Sequence, residues 1–209
     1  MAKVLIACEY SGTVRDAFIA RGHDAWSCDL LPTDRPGPHI QGNVFDVLTE
    51  PATWDLMIAH PPCTYFTNSA VCWLWNVPKK PRPDILYGAE RWPALDAAGR
   101  FFSALLRVNI PRIGVENPIP HKYAVERIPR NYDQLIQPWQ FGHPEQKATC
   151  FWLKGLPKLV PTNIVPLPES KAEAQRLHWL PRSKDRWKIR STTFQGIADA
   201  MADQWGAVL

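Results

Sequence analysis

The chain has 209 residues, 45% of them hydrophobic, which is ample for one packed α/β domain and short for two. Its formal charge of +4 is only mildly basic, so a nucleic-acid partner is permitted and not demanded. Five cysteines, at 8, 28, 63, 72 and 150, form an odd set with no Cys-x-x-Cys pair, which argues against a disulfide framework and a zinc site and fits a reducing cytoplasm.

Lys3 to Cys8 reads as a buried strand, and its apolar stretch is too short for a signal-peptide core. Gly12 then turns the chain into an amphipathic helix carrying Val14, Ala17 and Phe18 and ending near Gly22. His23 to Cys28 makes a second strand closed by Asp29, and Val44 to Val47, with Asp46, closes a third unit after a proline-rich loop. Asp55 to Ala59 and Ile113 to Val115 supply two more strands. Between them Leu95, Phe101, Phe102, Leu105 and Leu106 recur at helical spacing within 89–108. Strands alternating with helices predict an α/β fold on a mostly parallel sheet, in a single domain over 1–209.

The run Leu56 to Ala59 continues into His60-Pro61-Pro62-Cys63, a rigid turn that presents a thiol at a strand end. The stretch 61–90 has no clear periodicity and reads as a functional loop or lid. A second apolar run ends in Glu116-Asn117-Pro118, so two strand ends deliver a cysteine and a carboxylic acid to one crevice. Each alone has a plainer reading: a turn with a structural cysteine, and an ordinary strand-end acid. Cys72 and Cys150 read as small buried hydrophobes. From 157 the tail is proline-rich, then basic and aromatic. Arg176, Arg182, Lys184, Arg186, Lys188 and Arg190 cluster there with His178, Trp179 and Trp187, a composition that tracks phosphates or simply covers a solvated face. Thr193 to Gly206 closes the chain as a helix with Ile197, Ala200, Met201 and Trp205 on one face. No run reaches membrane-spanning length.

In order, HPPC (60–63), VENP (115–118), the segment QPWQFGHPEQKATCFW and the final FQGIADAMADQW resemble the motifs of the cytosine-5 DNA methyltransferase family, across most of the chain. Small phage-encoded members share this compact layout. The resemblance implies a Rossmann-like, class I methyltransferase fold that uses S-adenosyl-L-methionine and needs no metal. Its partner would be double-stranded DNA with a flipped cytosine, with no membrane involved. It makes Cys63 the nucleophile, Glu116 a protonated acid at ring nitrogen 3, and Asn117 the residue that orients the loop.

Donor contacts fall on Glu9, Tyr10, Ser11 and Gly12 near the methionine part, Asp29 near the ribose, Asp46 near the adenine, and Pro61. Substrate contacts fall on Pro62, Gln146, Lys147, Arg186, Lys188 and Arg190. The chain departs from the family in three places. Thr13-Val14-Arg15 replaces the first motif's second glycine, Lys147-Ala148-Thr149 replaces two alternating arginines after Gln146, and a reduced segment over about 155–190 replaces the separate recognition domain. Three other readings follow from these departures: cytosine-5 modification of a free nucleotide or with a modified sulfonium donor, an exocyclic amino-methyltransferase, and a catalytically silent DNA-binding relative. The amino-methyltransferase motif normally ends in an aromatic residue, where Cys63 stands here.

Overall fold

The computed structural model describes residues 1–49 and 54–209. Its strands are β1 (Lys3–Ala7), β2 (Asp24–Asp29), β3 (His39–Gln41), β4 (Leu56–Ala59), β5 (Arg112–Pro118), β6 (Gln134–Ile136) and β7 (Thr149–Lys154). The helices are α1 (Thr13–Ile19), α2 (Val44–Thr49), α3 (Arg91–Arg107), α4 (Lys122–Val125), α5 (Lys171–Ala174), α6 (Arg176–Trp179), α7 (Arg186–Ser191) and α8 (Gln195–Gly206). One seven-stranded sheet runs β3-β2-β1-β4-β5-β7-β6. The first five are parallel, while β7 is antiparallel to both β5 and β6. This is the expected Rossmann-like α/β fold on a mostly parallel sheet.

Alternation along the strands divides the core. Leu5, Met57, Ala59, Ile113 and Val115 face α3, with Leu95, Phe102 and Leu105 packed against them. Val4, Ile6, Leu56 and Ile58 face the other layer, with Val14 and Phe18 of α1 and Ile197, Met201 and Trp205 of α8. Gly114 of β5 lies under the Trp205 ring, where a Cβ would come within 3.2 Å of it, so the glycine makes room for the tryptophan. Arg21 ties α1 to α8 through Asp199 and Asp203.

Two expectations are corrected. Val44 to Val47 belongs to helix α2, and the third strand is the short segment His39–Gln41. That strand pairs only with β2 at the sheet edge, so no apolar face marks it in the sequence. Cys72 is exposed and not a buried hydrophobe, whereas Cys150 is buried.

Candidate active site

The chain leaves β1 toward β2 and β3 on one side and returns to β4 on the other. The carboxyl ends of β1 and β4 therefore diverge into a crevice, the usual ligand position in open α/β sheets. Because β7 runs antiparallel, its amino end comes to the same rim, with Thr149 opposite Pro118 and Cys150 opposite Asn117. Lys147, two residues earlier, is thereby delivered to the strand ends that carry Cys63 and Glu116.

Ala59 pairs with Val115 in register, so the next residues, His60 and Glu116, lie side by side on the α8 face. His60 Nδ1 stands 3.2 Å from Glu116 Oε2. One residue further, the buried Asn117 side chain points to the opposite face and donates through Nδ2 to the Pro61 carbonyl at 2.9 Å, fastening the Pro-Pro turn. Cys63 follows that turn, and its carbonyl accepts from the Phe66 and Thr67 amides. Two buried polar atoms here, His60 Nε2 and Asn117 Oδ1, have no hydrogen-bond partner among the described residues.

The charges interlock. Burial alone would raise the Glu116 carboxyl, but the hydrogen bond and charge of His60, backed by Lys147, hold it below the usual carboxylate range. Both neighbours thus favour the carboxylate form of Glu116. Loss of hydration pushes the Cys63 thiol up, and the Glu116 charge adds to this, while Lys147 and Arg190 pull it down. Burial lowers the Lys147 ammonium, against the attraction of Glu116 and Cys63. Lys147 Nζ donates to the Arg190 carbonyl at 2.7 Å. The Arg190 guanidinium makes no hydrogen bond or ion pair among the described residues, yet its charge is felt by the Cys63 thiol. Three other thiols are out of play, since burial pushes Cys8 and Cys150 up to about 12 and Cys28 to about 11.

On the β1 side, Cys8 and Gly12 both take positive φ, 58° and 71°. The Glu9 carboxylate accepts from Ser11 Oγ and from the Val14 and Arg15 amides, so it holds the loop against the start of α1. Arg15, fully buried, bonds Ser27, Thr33 and the carbonyls of Arg35 and Pro36, stapling the segment after β2. A Cβ at Gly12 would come within 2.5 Å of that guanidinium, so the glycine answers to Arg15. Asp29 receives the Leu31 amide on Oδ1, and its Oδ2 accepts no hydrogen bond among the described residues. Asp46 sits on α2, where its charge reaches Cys28, as does that of Asp29.

The loop over 61–90 is partly ordered by short 3-10 turns at Asn68–Leu74 and Gly88–Glu90. Buried Arg91 donates to the carbonyls of Thr64 and Leu86 and lies over the Tyr65 ring. His121 Nε2 pairs with the Tyr65 carbonyl at 2.8 Å. Pro62 and Cys63, ahead of these anchors, are exposed. The basic segment is largely occupied with its own chain. Arg186 donates to the carbonyls of Leu180 and His178, Lys188 pairs with Asp34, and Arg176 with Glu145. Helix α7 thereby rests on the β1 loop, where Tyr10 Oη meets Ser191 Oγ at 2.9 Å and Trp187 packs on the Tyr10 ring. Gln146 turns away from the crevice to Gln175.

The structure thus gathers Cys63, Glu116, Asn117, Pro61, Lys147 and Arg190 at one rim, with Tyr10 under α7 beside it, while Gln146, Arg186 and Lys188 are engaged elsewhere. Sequence reasoning missed His60, Arg91 and His121. The signal for His60 was its place one residue past a buried strand, level with Glu116 on the neighbouring one. Among the described residues no cluster of three or more His, Cys, Asp or Glu side chains is arranged to hold a metal ion, and no helix is long and apolar enough to cross a membrane.

No family model and no curated protein matches the sequence. Among solved structures, the chain is similar to a prophage-encoded protein from E. coli that is provisionally assigned as a DNA modification methyltransferase, with a TM-score of 0.48 and 13% identity. The match covers 81% of this chain and 56% of that protein. At that level of similarity the neighbour's activity does not transfer, and the chemistry of the rim has to speak for itself.

Proposed function

We propose that the chain is a DNA methyltransferase that acts at carbon 5 of cytosine through a covalent Cys63 adduct, with S-adenosylmethionine as donor. The observation that carries this reading is the meeting of Cys63 and Glu116, from the ends of two adjacent parallel strands, with Lys147 beside both. Carbon 5 of cytosine is a poor nucleophile until a thiolate adds to carbon 6. Cys63 is the thiol placed for this, at the crevice mouth, where burial and Glu116 raise it and Lys147 and Arg190 offset part of that rise. Addition drives electron density to ring nitrogen 3, where Glu116 is the group assigned to deliver a proton. Asn117 holds the Pro-Pro turn, and so the thiol, in place.

The β1 side suits the donor in part. Asp29 keeps one carboxylate oxygen for ribose hydroxyls, and Tyr10, Ser11, Asp46 and Pro61 complete the residues that would hold it. Glu9 and Gly12 support the loop itself. When bound, the donor supplies an electrophilic methyl group on a sulfonium centre. Arg182, Lys184 and Arg190 are the cations of the basic segment that remain unpaired among the described residues, and they are the ones we assign to DNA. Lys147 and Arg190 take the place of the arginines absent after Gln146.

Trapping tests the reading. On a duplex carrying 5-fluorocytosine, carbon 5 has no proton to lose, so the reaction stops at the adduct. The expected result is a donor-dependent, DNA-linked protein whose modified peptide contains Cys63, absent in Cys63→Ser. An adduct through Cys72, or none from folded protein on varied duplexes, would contradict it.

A further inference from the structure

Resting on that reading, we propose that His60 and Glu116 act as one proton-donating dyad, in which His60 holds the proton that Glu116 passes to ring nitrogen 3 as Cys63 adds to the base. The chemistry needs an acid at nitrogen 3, yet His60 and Lys147 hold the Glu116 carboxyl below the usual carboxylate range, so its proton has to come from a neighbour. His60 Nδ1 lies 3.2 Å from Glu116 Oε2, fixed there by the pairing of Ala59 with Val115. The imidazole is enclosed, with its side chain only 10% exposed, and its far nitrogen, Nε2, is buried without a partner among the described residues. Among them its directed contact is the one with Glu116. The other titratable groups coupled to Glu116 are Lys147 ahead of β7, Cys63 on the turn after β4 and Cys150 within β7, while Arg190 on α7 acts on Cys63 and Lys147. Lys147 Nζ is spent on the Arg190 carbonyl at 2.7 Å and makes no hydrogen bond to Glu116 among the described residues, so His60 is the titratable side chain in direct contact with the carboxylate.

The step balances without a co-reactant. The Cys63 thiolate, its proton already given to solvent, forms a bond to carbon 6, the carbon 5–carbon 6 π pair becomes a carbon 4–carbon 5 π bond, and the carbon 4–nitrogen 3 π pair takes up a proton at nitrogen 3. That one proton passes from His60 Nδ1 to the Glu116 carboxylate and on to nitrogen 3, so the carboxylate is restored and the imidazole is left neutral. In reverse, carbon 5 accepts a solvent proton and loses its original hydrogen, the carbon–sulfur bond breaks, and the nitrogen 3 proton returns through Glu116 to His60.

Exchange of carbon 5 hydrogen therefore reports the dyad without any donor. Release of tritium from duplex DNA labelled at cytosine carbon 5 is measured across pH for wild type, His60→Gln, Glu116→Gln and the double variant. A parallel series measures covalent capture on a duplex carrying 2-pyrimidinone, an electron-poor ring that adds thiolate with less need of nitrogen 3 protonation. His60→Gln is expected to slow cytosine exchange by about 10²-fold, the lower range for general acid catalysis, and to alter its pH profile, with the double variant no slower than Glu116→Gln. Capture on 2-pyrimidinone should change little, which a misfolded site could not produce. Equal losses on both bases, or an unchanged pH profile, would overturn the dyad. Histidine nitrogen NMR gives an arm free of activity, since Glu116→Gln should move the His60 Nδ1 resonance at fixed pH, and an unmoved resonance would also overturn the dyad. Should wild type release no tritium while that coupling is present, the cytosine reading fails, and with it the use assigned to the proton.

Discussion

At the scale of single residues, the site works by opposed charges around a thiol, and this makes two effects measurable. Lys147 and Arg190 both draw the Cys63 thiol toward its ionised form, against burial and Glu116. Lys147→Met should therefore raise the pH midpoint for alkylation of Cys63 by iodoacetamide, and Arg190→Ala should do the same; an unchanged midpoint in both would remove them from the nucleophile's environment. Glu116 contributes to stability with a definite sign. Its folded value lies below the ordinary 4.5, so its ionised form stabilises the fold fully above that pH, and this is lost as pH falls through the depressed value. Urea midpoints measured from pH 7 to pH 3 should fall for wild type, and Glu116→Gln should flatten that part of the fall.

Among the elements, those that bury a continuous apolar face were legible in the sequence: β1, β4, β5, α3 and α8 each announce themselves by a run or a helical period. The rest was hidden for physical reasons. Three-residue β3 sits at an edge and is polar, and Val-Phe-Asp-Val-Leu of α2 carries apolar residues at helix and strand spacings alike. Cys63, Glu116 and Asn117 were legible because they follow apolar runs. His60 was not, because its meaning lies in the register between two strands 56 residues apart. Close approaches were equally invisible: a methyl at Gly196, near the start of α8, would overlap the Phe141 carbonyl oxygen, and the Gly196 amide donates to His143 Nε2 at 3.0 Å. Gly196→Ala should cost about 1–3 kcal/mol, the usual range for overpacking, read as a lowered urea midpoint. A midpoint equal to wild type would mean that α8 docks less tightly than its contacts imply.

Across the whole molecule, the antiparallel return of β7 and the seating of α7 on the β1 loop bring the Cys63–Glu116 rim, the β1 loop and the basic segment together. Tyr10 is the hinge of that seating, with Ser191 on its hydroxyl and Lys188 over its ring. Tyr10→Phe removes one hydrogen bond, worth about 1 kcal/mol, so amides of α7 should exchange faster with solvent while those of β4 and β5 stay protected. The central claim is that Cys63 carries methylation of cytosine in DNA. The most direct measurement incubates wild type and Cys63→Ser with methyl-labelled S-adenosylmethionine and either duplex DNA or free cytosine nucleotides, followed by nucleoside mass spectrometry. The account predicts labelled 5-methylcytosine from the duplex with wild type alone. Label on an exocyclic amine, label only on free nucleotides, or undiminished activity in Cys63→Ser would contradict it.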